Sequence, residues 1–575
     1  MKSPTLLIAV LLSLAAAGAS AQDKKTPKPA GPKAGDQKPA TTAPAKPETP
    51  PDLKAFQEAN KITDPEKKIE ALEKFKKDFP NSASVTSADT SILSTLVQKM
   101  PGQETRIRVA AQTAYDDASM KEKGRTSVRI AQALLEGRLL LEDAQKYAEI
   151  GLVSTNQTEY FKDQKAMAER RKQKPPSDEE LLKRFQSSRV PLLTLLGRVE
   201  VQLGHVDLGK QLLDEAITIS PNNAATAAAL GELAAHNGDN EKALEYLVTA
   251  RLGGRASADT IEVLNSVYRK LHQGSLDGLD AMLDTEYHKR FPNPLHLEEF
   301  KDSKKRSDRL ALAEVFTGSG CPPCVGADLA FEAAMERYSR KDLVVVMYHQ
   351  HIPQPDPMTN PDTDARRKYY GINGVPSYAI DGKMVKYNGA GRDGTKDVYE
   401  HIQGPIEDEL KAAAEAQLKV QADVSGNTVN VKADVDGLKG DTADLKVQVL
   451  LVEKELRYSG ENGIRFHPMV VRAMGGEGDN GFAVKPGETA SFQQTWDLDK
   501  VSAGLKAHLD EYEAAGHRGN SFKFAEKKYE ISRGDLAVVV FVQNAKTKHI
   551  LQSAYVDLAP EPATRTASDA SKENR

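Results

Sequence analysis

The chain holds two cysteines in 575 residues, and they stand together as Cys321-Pro322-Pro323-Cys324. Three chemistries suit a pair at that spacing: exchange with a thiol or disulfide of another molecule, capture of a metal ion, or a permanent bridge. The residues after Cys324 have helical periodicity through Met335, so the pair opens a helix. There the positive end of the dipole and the unpaired amides favour a thiolate, which makes Cys321 the expected exposed nucleophile. Cys324, one turn on, is expected to be shielded and to resolve a mixed disulfide formed on Cys321. Pro322 and Pro323 stiffen the turn but remove two amides that could have stabilised the thiolate. A bridge across so short a loop restrains little unfolded-chain entropy, which counts against a purely structural role.

The metal alternative would recruit His349 and His351, completing a Cys2His2 set suited to zinc or copper. Both histidines begin the proline-rich stretch His349-Gln-His-Ile-Pro-Gln-Pro-Asp-Pro-Met-Thr-Asn-Pro-Asp362. Such a loop is a poor frame for a tetrahedral site, so neither a metal nor a cofactor is expected.

Strand-like and helical runs position the cysteines. Leu310-Ala-Leu-Ala-Glu-Val-Phe316 reads as a buried strand, Thr317-Gly-Ser-Gly320 as the turn before the cysteines, and Leu343-Val-Val-Val-Met-Tyr348 as a second strand. Their helix-length connection predicts a parallel, right-handed βαβ unit. Tyr370-Gly-Ile-Asn-Gly-Val-Pro376-Ser-Tyr-Ala-Ile380 follows, then a turn at Asp381-Gly382, a strand near 384–387 and a helix over about 393–413.

With the cysteine motif after one strand and Gly374-Val375-Pro376 before another, residues 308–414 resemble the thioredoxin superfamily. The resemblance implies an α/β thioredoxin-like domain with thiol-disulfide oxidoreductase activity, Cys321 and Cys324 being the catalytic pair. It makes Pro376 a cis-proline facing them, and has the Val375 backbone pair with an extended substrate bordered by Pro322 and Pro323. Three features depart from the family pattern. Gly320 stands where a tryptophan is common. The acid expected on the strand before the cysteines falls on Val315 when the run is aligned without gaps, with Glu314 one place off; a strand shift by one residue would turn Glu314 to the opposite face, which leaves its role as proton acceptor open. The 349–362 stretch is an insert.

Before this domain, residues 53–300 carry helical periodicity. A period of 34 returns Leu196-Gly197 as Leu230-Gly231, Gly204 as Gly238, Leu213 as Leu247 and Ala216 as Ala250. The segment, clearest over 190–253, resembles tetratricopeptide repeats, which implies an α-helical solenoid whose concave face binds protein. Weaker copies fall at 64–81 and 134–152.

After it, residues 415–559 alternate apolar and polar positions. Leu418, Val420, Ala422 and Val424 face Val429, Val431, Ala433 and Val435 across Ser425-Gly-Asn427, a β-hairpin. Further strands are expected at 445–452, 489–496, 536–542 and 550–558, making an independent all-β sandwich with Trp496 in its core.

At the N-terminus Lys2, an apolar run over 6–17 and Ala19-Ser-Ala21 form the three parts of a secretory signal peptide, with cleavage expected after Ala21. Residues 22–52, rich in Lys, Pro and Ala, are an expected tether, and 560–575 an expected disordered tail. No later run reaches the ~18–20 apolar residues of a membrane span. A periplasmic or secreted protein follows, an oxidising setting for the cysteines. The net charge of -4 is too small to argue for nucleic acid or an anionic membrane. The expected partners are protein thiol or disulfide clients and a redox partner protein. A non-catalytic adaptor with bridged cysteines is the alternative.

Overall fold

In this computed structural model the described residues are 49–254, 256–301, 308–387, 389–438, 444–476, 481–484, 490–517 and 522–558. The expected leader, nearly all of the tether and the tail lie outside them.

The first half is helical. α1 (Pro51–Asn60), α2 (Pro65–Asp78), α3 (Val85–Lys99), α4 (Glu104–Asp117), α5 (Lys123–Gly137), α6 (Leu141–Val153) and α7 (Gln157–Arg170) come first. α8 (Asp178–Gln202), α9 (Val206–Ile219), α10 (Ala224–His236), α11 (Asn240–Leu252), α12 (Ala258–Leu271) and α13 (Leu279–Arg290) follow. Side chains of Asp64, Asn156, Asn223, Asp239 and Ser257 cap their helices by accepting an amide of the first turn, and Ser177 completes a capping box with Glu180.

The 34-residue period has a steric origin. A Cβ on Gly197 of α8 would sit 2.9 Å from Leu213 Cγ of α9, and one on Gly231 of α10 would sit 2.7 Å from Leu247 Cγ of α11. Each glycine lets two helices close on a fully buried leucine. Gly204 and Gly238 turn the chain between those helices at φ +87° and +79°, where a Cβ is strained.

The cysteine-bearing region contains β1 (Ala311–Thr317), α14 (Cys324–Arg337), β2 (Leu343–His349), α15 (Pro361–Tyr370), β3 (Ser377–Ile380), β4 (Lys383–Met384) and α16 (Thr395–Lys411). β1 pairs parallel with β2 and antiparallel with β3. Odd-numbered residues of β1 pack on α14 and α16, and even-numbered ones form the opposite core.

The remaining elements are β5 (Gln417–Ser425), β6 (Thr428–Asp436), β7 (Leu445–Arg457), β8 (Phe466–Met474), β9 (Phe482–Ala483), β10 (Ala490–Asp497), α17 (Leu498–Ala515), β11 (Leu536–Asn544) and β12 (Ile550–Leu558). Two sheets face each other here, so the C-terminal third is β-rich as expected. One is three-stranded, in the order β10-β6-β5. The other is the cysteine domain's own sheet, extended to β12-β11-β7-β8-β2-β1-β3-β4 through a parallel join at Met347 and Val470.

The β-rich region also contains a helix, α17, between its strands, and β7 and β11 are covered on both faces. Val447, Val449, Val538 and Val540 meet Val431 and Val435 of the small sheet, whereas Leu450, Val452, Val539 and Phe541 meet Leu312, Phe316 and Val344. Near-continuous apolar runs such as Leu536-Ala-Val-Val-Val-Phe-Val542 mark strands buried on both sides. The long sheet also curls back on itself. Fully buried Arg309, just before β1, donates to the Ile550 carbonyl of β12 at 2.6 Å and to Asp381 at 2.9 Å.

Expressed alone, residues 415–558 would expose the face of Leu450, Val452, Val539 and Phe541, at ~1.5–3 kcal/mol for each side chain returned to water. We expect no monomeric, cooperatively unfolding species from this piece, and one from 308–558. Size exclusion with urea titration of both pieces checks this. A stable monomer from the shorter piece would show that it folds on its own.

Candidate functional site

β1 delivers the chain to Gly318-Ser319-Gly320, and Cys321-Pro322-Pro323 forms the turn from which α14 departs. The Cys321 amide donates to Gly318 O at 3.0 Å and the Cys324 amide to Cys321 O at 3.1 Å. The cysteines are joined as a disulfide, with their Cα atoms 5.3 Å apart. Cys321 Sγ lies 3.6 Å from the Val375 carbonyl oxygen, and the Val375-Pro376 bond is cis. Gly389 closes the far side at φ +75°, where a Cβ would stand 2.3 Å from Pro376 Cγ and 2.5 Å from Pro323 O. Cys321, Cys324, Pro322, Pro323, Val375 and Pro376 thus form one constellation.

Two features of the surroundings were not legible. Cys321 is only 1% exposed, which overturns the expectation of an open nucleophile, whereas Pro322 and Pro323 are at the surface. The turn between β7 and β8 leans on the loop before it. The Asn462 amide donates to Ser319 O at 2.9 Å and its side chain to Gly318 O at 3.3 Å, while Ile464 packs on Val325 and Leu329 of α14. The insert fills the place of a large residue at 320: a Cβ on Gly320 would lie 2.7 Å from Gln354 Cβ.

Glu314 faces away from the cysteines. Fully buried among the even-numbered residues, it binds Arg366 in two bonds of 2.7 and 3.0 Å and accepts from the Tyr348 and Tyr370 hydroxyls. It therefore cannot serve the sulfurs. The acid on their side is Asp328, one turn after Cys324 on α14, which accepts from Thr317 Oγ1 at 2.7 Å. Burial pushes its pKa up to about 7, against the lowering effect of the Thr317 bond. The spacing of four from Cys324 was the available signal.

The two histidines part company. His349 ends β2 and puts Nδ1 2.8 Å from Asp356 Oδ2. His351, beyond the strand, accepts the Asp356 amide at Nδ1, meets the Thr359 hydroxyl at Nε2 and stacks on Tyr512 of α17. With the sulfurs bonded to each other and the histidines so engaged, the Cys2His2 arrangement does not form. Among the described residues no group of three or more His, Cys, Asp or Glu side chains is gathered for a metal ion.

Asp328 gives a signed pH dependence. Its folded pKa, about 7, lies above the ordinary 3.8, so its contribution to stability is complete below about pH 4 and is lost as pH rises through 7. The loss reaches at most about 4 kcal/mol. Asp328→Asn cannot ionise and should gain on the wild type between pH 5 and 8 in denaturant midpoints. A gap that stays constant with pH would show that Asp328 is not held protonated by burial.

No family model matches the chain, and no curated protein matches it. Among solved structures it is similar to HBP35 of Porphyromonas gingivalis, with 16% identical residues over 46% of this chain and 80% of that one. The TM-score of 0.32 is too low for that likeness to bear on fold or activity.

Proposed function

We propose that the protein is an extracytoplasmic thiol-disulfide oxidoreductase that acts on protein clients through Cys321 and Cys324, with the helical repeats holding the client. The carrying observation is the placement of the cysteine pair at the strand-to-helix turn, with Cys321 Sγ 3.6 Å from the Val375 carbonyl. Cys321 takes the client's sulfur; Cys324, one turn inside, attacks Cys321 and releases it. For the repeats, support comes from a recess of about 660 Å³ between α1, α3 and α5, bordered by Phe56, Asn60, Ser91 and Arg129. Among the described residues no helix is long and apolar enough to cross a membrane. The extracytoplasmic setting rests on the leader.

One observation favours a second reading. A sulfur as covered as Cys321 suits a bridge that stays closed, and with it a non-catalytic adaptor.

One experiment separates the two. With the leader intact, Cys324→Ser should accumulate reductant-sensitive mixed disulfides on Cys321, seen as high-mass bands on non-reducing gels, and Cys321→Ser should trap nothing. Trapping by neither variant, with a wild-type bridge that resists physiological reductants, would establish the adaptor. Trapping only when Cys321 is lost would reverse the roles of the sulfurs.

A further inference from the structure

Resolution by Cys324 needs a base, because a buried thiol is a poor nucleophile until its proton leaves. The side of the sheet facing α14 holds more than Asp328. Thr317 and His349 are register partners on the parallel strands β1 and β2, so their side chains share a face. On that face Thr317 donates to Asp328. His349 is 1% exposed, and its Nε2 has no hydrogen-bond partner among the described residues.

Asp356 fixes which nitrogen of His349 carries the hydrogen. Its carboxylate already accepts the Ser319 amide at 2.6 Å and the Met358 amide at 2.9 Å, so it faces the ring as an acceptor. His349 Nδ1 must then donate, and in the neutral ring Nε2 keeps the lone pair. Burial acts to raise the Asp356 pKa but is outweighed by His349 and the two amides, which leave it at about 2. A carboxylate behind an imidazole fixes its tautomer and the orientation of its ring, and so the direction in which the far nitrogen points.

We infer that His349, oriented by Asp356, drains the proton of the resolving thiol by way of Asp328. His349 is a positioning residue here, since it acts on the sulfur only through Asp328. The inference rests on the thiol-disulfide reading. In the step, the Cys324 proton passes to the Asp328 carboxylate and on to His349 Nε2. The Cys324 thiolate attacks Cys321 Sγ, the Cys321–Cys324 bond forms, and the bond from Cys321 to the client breaks. The client leaves as a thiolate that takes a proton from water, and across both steps two electrons pass from the dithiol to the client. The titratable groups that bear on the pair from neighbouring elements are Glu332 on α14, Asp356 in the insert and His467 on β8. Burial holds His467 near pKa 3, so it does not compete for the proton at neutral pH.

The test mixes fully reduced whole protein with one equivalent of a chromogenic aryl disulfide by stopped flow. Attack by Cys321 releases the first aryl thiolate, and attack by Cys324 releases the second. His349→Asn keeps an N–H for Asp356 but loses the Nε2 base. It should leave the first release unchanged and slow the second about 100-fold near neutrality. The deficit should shrink as pH rises and hydroxide takes the thiol proton. Asp328→Asn should slow the same phase, and the double variant should be no slower than the worse single one. An unchanged second phase in both single variants overturns the proposal. Equal slowing of both phases at every pH also overturns it, since that reports a disturbed fold. If the wild type shows no first release, the thiol-disulfide reading itself has failed.

Discussion

The buried pair between Glu314 of β1 and Arg366 of α15 is the contact on which the cysteine domain and the C-terminal strands both depend. Arg366 spans the core, bound to Glu314 on one side and to Gln543 of β11 at 2.8 Å on the other, with its guanidinium over the rings of Tyr369, Tyr370 and Phe541. Gln543 returns a bond to the Tyr370 hydroxyl at 3.1 Å. Such a network contributes little net stability against an apolar substitute, because desolvating two ions offsets their attraction. Its value is in exclusion. A core of valines and leucines accepts many registers, whereas a carboxylate and a guanidinium without water tolerate only the one in which they meet.

That network also fixes which face of the sheet is free for chemistry. With Glu314 committed to the even-numbered side, the buried acid on the cysteines' side of the sheet comes from α14 as Asp328. The insert after β2 then does two jobs with one carboxylate. Asp356 Oδ2 holds both His349 and the Ser319 amide, two residues before Cys321. The loop that carries the cysteines and His349 are therefore held by the same side chain.

Legibility followed sequence separation. The tandem locks at Gly197–Leu213 and Gly231–Leu247 are local, so the 34-residue period displayed them. The strand, turn and helix around Cys321 were readable for the same reason. Alternation brought Glu314 within one place of the expected acid but left its role open, and its partner Arg366 could not be named, since nothing in a helix with mixed charges marks which arginine turns inward. Asn462 reaches Gly318 across 144 positions, and no local pattern announces such a contact. The β-rich C-terminal region is legible from the clean alternation of β5 and β6, whereas the join of β7 and β11 to the cysteine domain's sheet is not, because strands apolar on both faces do not say which partners cover them.

The curled sheet makes this chain two folding problems joined end to end. The repeats contact mainly their sequence neighbours, so helices can pair as soon as they are made. The cysteine domain cannot finish on those terms: Arg309 waits for a carbonyl 241 residues later, and β2 stays an open edge until β8 arrives. During synthesis there is accordingly an interval in which both cysteines exist but the sheet beneath them does not. In that interval the sulfurs are open to any oxidant, and the cover that later encloses Cys321 is not yet in place.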